Sequence, residues 1–239
     1  MAVAKTLTWP TLFDAEPDAL VSTMPAAIRR MLLGPTAAFL LAATVACAQT
    51  VSGAPVRAIP GIDDDSRSPV DVDAVLLEQT QMRAITGAGE DLTVIPSMDG
   101  KQPVDIVALA ESAPEQCQWY FVETQTFGAE IEEFHKTTYQ DPPDAALISQ
   151  GAAGYRDAAT ARRAFDDLAG LIDRCGSTSS GALYVGDWTV TADGLQTRTS
   201  RCGRDYRVKS AVLVEITFCG YPSTVPDIVM TNVLAKVPA

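Results

Sequence analysis

From residue 72 onward the apolar positions of the chain switch between helical spacing and simple alternation. Val75, Leu76, Met82 and Ile85 fall roughly on one helical face of Val72–Ile85, and Gly87 offers a stop. Leu92–Pro96 is a short β-branched run, and Trp119–Thr126, which opens with three successive aromatics, is the strongest candidate strand. Ala145–Tyr155 is another, set off by Asp141-Pro142-Pro143, where neither proline can join a ladder from a central position. Asp157 is placed to cap a helix over Ala158–Asp173. There Ala161, Ala164, Phe165, Leu168 and Ile172 share a face, while Arg162, Arg163, Asp166 and Asp167 face out. Cys175-Gly176 suits a left-handed end to that helix. Four strands follow at Tyr184–Thr191, Gly194–Thr199, Cys202–Val208 and Ala211–Phe218, with turns such as Ala192-Asp193-Gly194 between them. Ser223 and Asp227 open a last helix, Val225–Lys236, with Ile228, Val229, Val233 and Val237 as its buried stripe. Helices flanking a run of neighbouring strands predict an α+β domain with an antiparallel sheet over residues 72–239.

Upstream the pattern is of another kind. Met24-Pro25-Ala26-Ala27-Ile28-Arg29-Arg30 precedes 16 uncharged residues, Met31–Ala46, and then Cys47. A basic segment, an apolar segment and a small-residue boundary are the anatomy of a secretory signal. The run is shorter than the roughly 20 residues that span a bilayer, and it contains Gly34 and Pro35, which disfavours a permanent transmembrane helix. Thr44-Val45-Ala46-Cys47 resembles a bacterial lipobox, whose cysteine is diacylated before the peptidase cuts in front of it; Thr44 stands where that pattern has an aliphatic residue. Two acyl chains give stable anchoring where one gives only reversible binding. Asp14, Glu16 and Asp18 do not suit a signal, so 1–46 reads as an N-terminal extension and signal peptide, with Met24 as the expected start. Residues 47–71, rich in Pro, Gly, Ser and Asp, read as an acidic flexible tether.

Charge narrows the partners. The chain carries 18 Lys and Arg against 30 Asp and Glu, a net charge of -12. That charge would repel a phosphate backbone, so no nucleic acid is expected as a partner. The acidity belongs to the exported part: from Cys47 onward 15 basic residues stand against 27 acidic ones. The single histidine, His135, leaves no multi-histidine metal site, and the aspartates at 63–65, 71 and 73 lack the spacing of a calcium loop. No metal and no cofactor are expected.

Cys117, Cys175, Cys202 and Cys219 remain beside Cys47, an even number in a chain expected to leave the cytoplasm. Three pairings are open. If the chain reverses near Lys209-Ser210, Cys202 and Cys219 face each other across an antiparallel pair, leaving Cys117 with Cys175.

The succession of Cys47, acidic tether, Cys117, the Tyr155-Arg156-Asp157-Ala158-Ala159-Thr160-Ala161-Arg162-Arg163-Ala164-Phe165 helix start, Cys175, Cys202 and Cys219-Gly220-Tyr221 resembles the PknH-like extracellular sensor domain of mycobacteria. That domain occurs outside a Ser/Thr kinase and, without a kinase, in many mycobacterial lipoproteins. The resemblance implies the same two disulfides, a twisted antiparallel sheet and a cleft that receives a ligand. This chain has neither a Gly-rich phosphate loop followed by Lys nor a His-Arg-Asp catalytic loop, so no kinase activity is implied.

Three functions are weighed on these residues. The first is a non-catalytic ligand-binding or sensing module, lipid-anchored on the outer face of the cytoplasmic membrane, that captures a small molecule, a glycan or an envelope protein. The second is a scaffold lipoprotein with a protein partner. The third is a hydrolase using His135 with Ser149, Thr137 or Thr138, which no Gly-x-Ser-x-Gly elbow supports. Trp119, Tyr120, Tyr139, Tyr155, Trp188 and Tyr221 are the candidate ligand-lining aromatics. Glu132 and Glu133 are expected to be solvated.

Overall fold

The computed structural model describes residues 68–239; the signal region, Cys47 and the tether up to residue 67 lie outside them. The strands are β1 (Thr93–Gly100), β2 (Glu133–Asp141), β3 (Ala146–Gly154), β4 (Asp187–Val190), β5 (Gly194–Arg198), β6 (Cys202–Lys209) and β7 (Val212–Cys219). They form one antiparallel sheet in the order β1-β2-β3-β7-β6-β5-β4. Two meanders, β1–β3 and β4–β7, therefore meet where β3 pairs with β7. Local chemistry sets the reversals. Pro142 and Pro143 occupy the β2–β3 turn, and Ser210, at φ 52°, turns β6 into β7. That second hairpin puts Cys202 directly opposite Cys219, and both expected disulfides, Cys117–Cys175 and Cys202–Cys219, are present.

The helices are α1 (Val72–Val75), α2 (Gln79–Thr86), α3 (Val107–Ser112), α4 (Glu123–Phe127), α5 (Ala158–Gly176) and α6 (Thr224–Lys236). α1, α2 and α6 pack on one face of the sheet around Tyr139, Ile148, Ala152, Val214, Ile216 and Phe218. α5 covers the other face, where Phe134, Ala153, Leu213, Tyr206 and Leu195 meet Phe165, Leu168 and Ile172. Among the described residues, 68–239, the sheet, both disulfides and two hydrophobic cores pack together as one compact unit. Among these residues no helix is long and apolar enough to cross a membrane.

Several elements depart from the sequence expectation. The helix expected over Val72–Ile85 breaks in two, because the buried Gln150 amide takes the Leu77 peptide on both sides. Its Oε1 accepts the Leu77 N–H at 2.9 Å and its Nε2 donates to the Leu77 carbonyl at 2.6 Å. The packed fold also begins earlier than residue 72, since Val70 is buried in the first core. Gly87 does close α2 in the left-handed conformation, at φ 76°. Trp119–Thr126 is no strand. A 3-10 segment, Glu115–Phe121, and then α4 occupy it, with the Cys117 disulfide, Trp119 and Phe127 all drawn into the core under α5. Aromatic β-propensity measures fit to a pleated surface, and these rings fill the core from a helical backbone instead. Conversely, β2 was not expected, its alternation being one of polar side chains. Asp157 caps α5 as predicted, accepting the Thr160 N–H at 2.7 Å. Gly176, however, is helical: a Cβ there would stand 2.6 Å from the Trp188 ring, so close packing and not a left-handed turn explains the glycine. The strand expected from Tyr184 shortens to β4, and Ile228 is 47% exposed while Val225, Val229, Met230 and Val233 form the buried stripe of α6.

Candidate functional site

Strand alternation decides which side chains meet on the α5 side of the sheet. Thr138 stands opposite Ser149, Ser149 opposite Thr217, and Thr217 opposite Arg204, so three hydroxyls and a guanidinium form a row across β2, β3, β7 and β6. In the next row Lys136 faces Gly151, and Gly151 faces Glu215. No residue of α5 lines this part of the face. The chain from 102 to 123 leans over it, leaving a cavity of about 430 Å³, within the range of small-molecule sites. Its floor is the hydroxyl row with Lys136 and Arg204; Tyr120, Phe121 and Leu147 contribute to its sides. Its wall holds Met98, Val104, Ile106 and Leu109, which are 47%, 58%, 48% and 45% exposed.

The floor is charged but internally compensated. Lys136 Nζ donates to Glu123 Oε1 at 2.7 Å and to Glu215 Oε1 at 3.3 Å, and Thr217 also donates to Glu215, which is 1% exposed. Burial alone would push the Glu215 carboxyl up. Lys136 first, then Arg204 and the Thr217 hydroxyl, hold it below its ordinary value and keep it ionised. Arg204 lies 3.7 Å over the Tyr120 ring and donates to the Tyr120 carbonyl at 3.2 Å. Glu123 Oε2 accepts the Val104 N–H at 2.8 Å, so one carboxylate ties the apolar wall to the charged floor.

A family model described as the PknH-like extracellular domain matches residues 68–236. The chain belongs to that family. No curated protein matches significantly. Among solved structures, the extracellular domain of PknH from Mycobacterium tuberculosis is similar in fold, with a TM-score of 0.54 and 15% identity over 71% of this chain and 97% of that one. Membership places residues 68–236 among extracellular domains.

Of the six aromatics singled out in the sequence, Tyr120 reaches the cavity of this PknH-like domain. Trp119 and Tyr155 are buried in the core under α5, where the Tyr155 hydroxyl donates to the Phe127 carbonyl at 2.7 Å. Trp188 packs at the edge of that core against Gly176. Tyr139 lies in the opposite core, and Tyr221 packs beside it, its phenol pushed up to about 12 by burial and by Asp141. Tyr221 borders a separate, more polar depression beside the Cys202–Cys219 disulfide.

His135 is on the other side of the sheet from Ser149. Its Nδ1 lies 2.8 Å from Asp73 of α1 and its Nε2 lies 3.0 Å from Asp99 of β1. Lys101 pairs with Asp73, and the Thr137 hydroxyl donates to Asp99 at 2.9 Å. With both ring nitrogens within 3.0 Å of carboxylates, His135 joins α1 to the sheet edge; of the hydroxyls weighed beside it, Thr137 lies 3.3 Å from Nε2 and gives its proton to Asp99, while Ser149 and Thr138 stand on the opposite face. Sequence reasoning missed Lys136, Arg204, Glu215 and Thr217, and weighed Thr138 and Ser149 only as nucleophiles beside His135. One signal was available: once Cys202 is paired with Cys219, Arg204 and Thr217 fall opposite each other on the face that also carries Tyr206 and Glu215.

Proposed function

We propose that this protein is an exported, membrane-anchored lipoprotein whose PknH-like domain senses a ligand in the cavity between the sheet and the 102–123 segment, without performing chemistry on it. The observation that carries this reading is the cavity itself, an apolar wall left in solvent over a buried polar floor in which Lys136 pairs with Glu123 and Glu215 while Arg204 Nε has no partner. Buried ion clusters are a poor means of stabilising a sheet, so this arrangement fits a binding role better than a structural one. Cys47, preceded by an uncharged run, supplies the anchor. Val104, Ile106, Val107 and Leu109 together favour a second reading, in which the same exposed stretch docks a protein partner.

The test is to express the gene from Met24 in a host that processes lipoproteins and to record the intact mass, first native and then denatured without reductant. The expected denatured species begins at diacylated Cys47 and lacks four hydrogens, and the native species carries an extra mass that denaturation releases. An unmodified N-terminus overturns the anchor. A protein as the released mass moves the reading to the scaffold.

A further inference from the structure

The chemistry of the cavity specifies what fits it. Its floor carries no net charge, Lys136 and Arg204 against Glu123 and Glu215: Lys136 is shared between the two carboxylates, and Arg204 is stacked on Tyr120 with its buried Nε left as a donor without a partner. An ionic head would have to shed its water against a floor whose charges already balance, which costs more than it returns, whereas a neutral hydroxyl oxygen can accept from Arg204 Nε. The hydroxyls are different. Thr138 donates to Ser149 and Thr217 to Glu215, which leaves the Ser149 proton and lone pairs on all three oxygens along one row. A surface that offers donor and acceptor together, without net charge, matches a ligand whose own polar groups are hydroxyls. Beside that row stand Met98, Val104, Ile106 and Leu109, four of the eight large apolar side chains exposed among the described residues. They provide a lane for an aliphatic chain.

We infer that the ligand is an amphiphile with an uncharged, polyhydroxylated head and an alkyl or acyl chain, the head on Thr138, Ser149 and Thr217 and the chain along Val104, Ile106 and Leu109. This rests on the reading of the cavity as a ligand site. The long-range field of an acidic chain acts in the same sense, disfavouring anionic relatives of the same ligand.

Calorimetry on residues 68–239 tests it with four probes below their micelle concentrations: octyl glucoside, octyl phosphate, octyltrimethylammonium and free glucose. The expected result is one site for octyl glucoside, at least about tenfold weaker binding of both charged amphiphiles, and none of glucose. Affinity rises roughly three- to fourfold for each methylene added between hexyl and nonyl glucoside. Ile106→Asp, at an exposed position where the fold is retained, abolishes binding. Thr138→Val/Ser149→Ala, which removes both partners of one hydrogen bond, erases the preference for the glucoside while leaving a chain-length dependence. Tighter binding of a charged amphiphile overturns the ligand class and leaves the cavity as a binding site. Failure of every amphiphile, or binding that Ile106→Asp does not change, overturns the inference together with the reading of the cavity.

Discussion

The two faces of the sheet are built from the same strands yet solve burial differently. Under α1, α2 and α6 the inward positions of β3 and β7 are Ile148, Ala152, Val212, Val214, Ile216 and Phe218, closed by apolar packing, with Gln150 as the one polar member, bonded to the Leu77 peptide. On the other face apolar residues run only as far as α5 and its neighbours extend, through Phe134, Ala153 and Leu213. The pattern then changes along the same strands to Lys136, Thr138, Ser149, Glu215 and Thr217. Where helices cover the sheet, all but Gln150 need only be apolar and of the right volume. Where the cover stops, each polar group needs a particular partner. The first face tolerates apolar exchanges that conserve volume, whereas the second fails when one member is removed.

The largest expected effect comes from breaking that second arrangement. Lys136→Met leaves the buried Glu215 carboxylate without its main cation, and urea denaturation should show a loss of about 3–5 kcal/mol. Lys136→Met/Glu215→Met should recover part of it, because the stranded charge is gone. If Lys136→Met is no worse than an ordinary surface change, the cluster is not the coupled unit described above.

A paired measurement on apolar residues sharpens the contrast. Ile148→Ala, in the closed face, should cost about 2–5 kcal/mol through lost burial and the void it leaves. Ile106→Ala, on the cavity wall, should stay within about 0.5 kcal/mol because Ile106 is 48% exposed and supports little of the core. Equal losses at the two positions would mean that the wall is structural.

How much of this was legible in the sequence follows from the same contrast. The α5 helix could be read because one short stretch carries its whole signal, an Asp157 cap followed by a continuous apolar face. The Cys202–Cys219 hairpin could be read because two cysteines in an exported chain demand a register. β2 could not, since its inward residues on the cavity side are Lys136, whose burial makes sense only with Glu123 and Glu215 in place, and Thr138, whose hydroxyl donates to Ser149. Trp119–Thr126 misled because three aromatics satisfy a strand propensity as well as a helical core. The cavity wall was invisible for a simpler reason: Met98 and Leu109 come from separate elements and become a surface only when 102–123 folds over β2 and β3.

The smallest effect belongs to the edge of the helix-covered face, where charge adds to the packing of Val72 and Val75 in tying α1 to the sheet. The His135 hydrogen bond chiefly holds the Asp99 carboxyl below its ordinary value, and the Lys101 bond, with His135 adding to it, does the same for Asp73. A carboxylate with a depressed folded pKa stabilises the fold above its unfolded value, near about 4, and that contribution is lost as the pH falls through the lower folded value. The melting temperature should therefore be flat above about pH 4.5 and fall below about pH 4. Asp99→Asn should flatten part of that acid limb, with a stability change of about 1 kcal/mol or less near neutral pH, because both aspartates are 45% exposed. An acid limb that Asp99→Asn leaves unchanged would assign it to other carboxylates, Glu215 foremost, and move the pH-sensitive point of the domain from the closed face to the cavity floor.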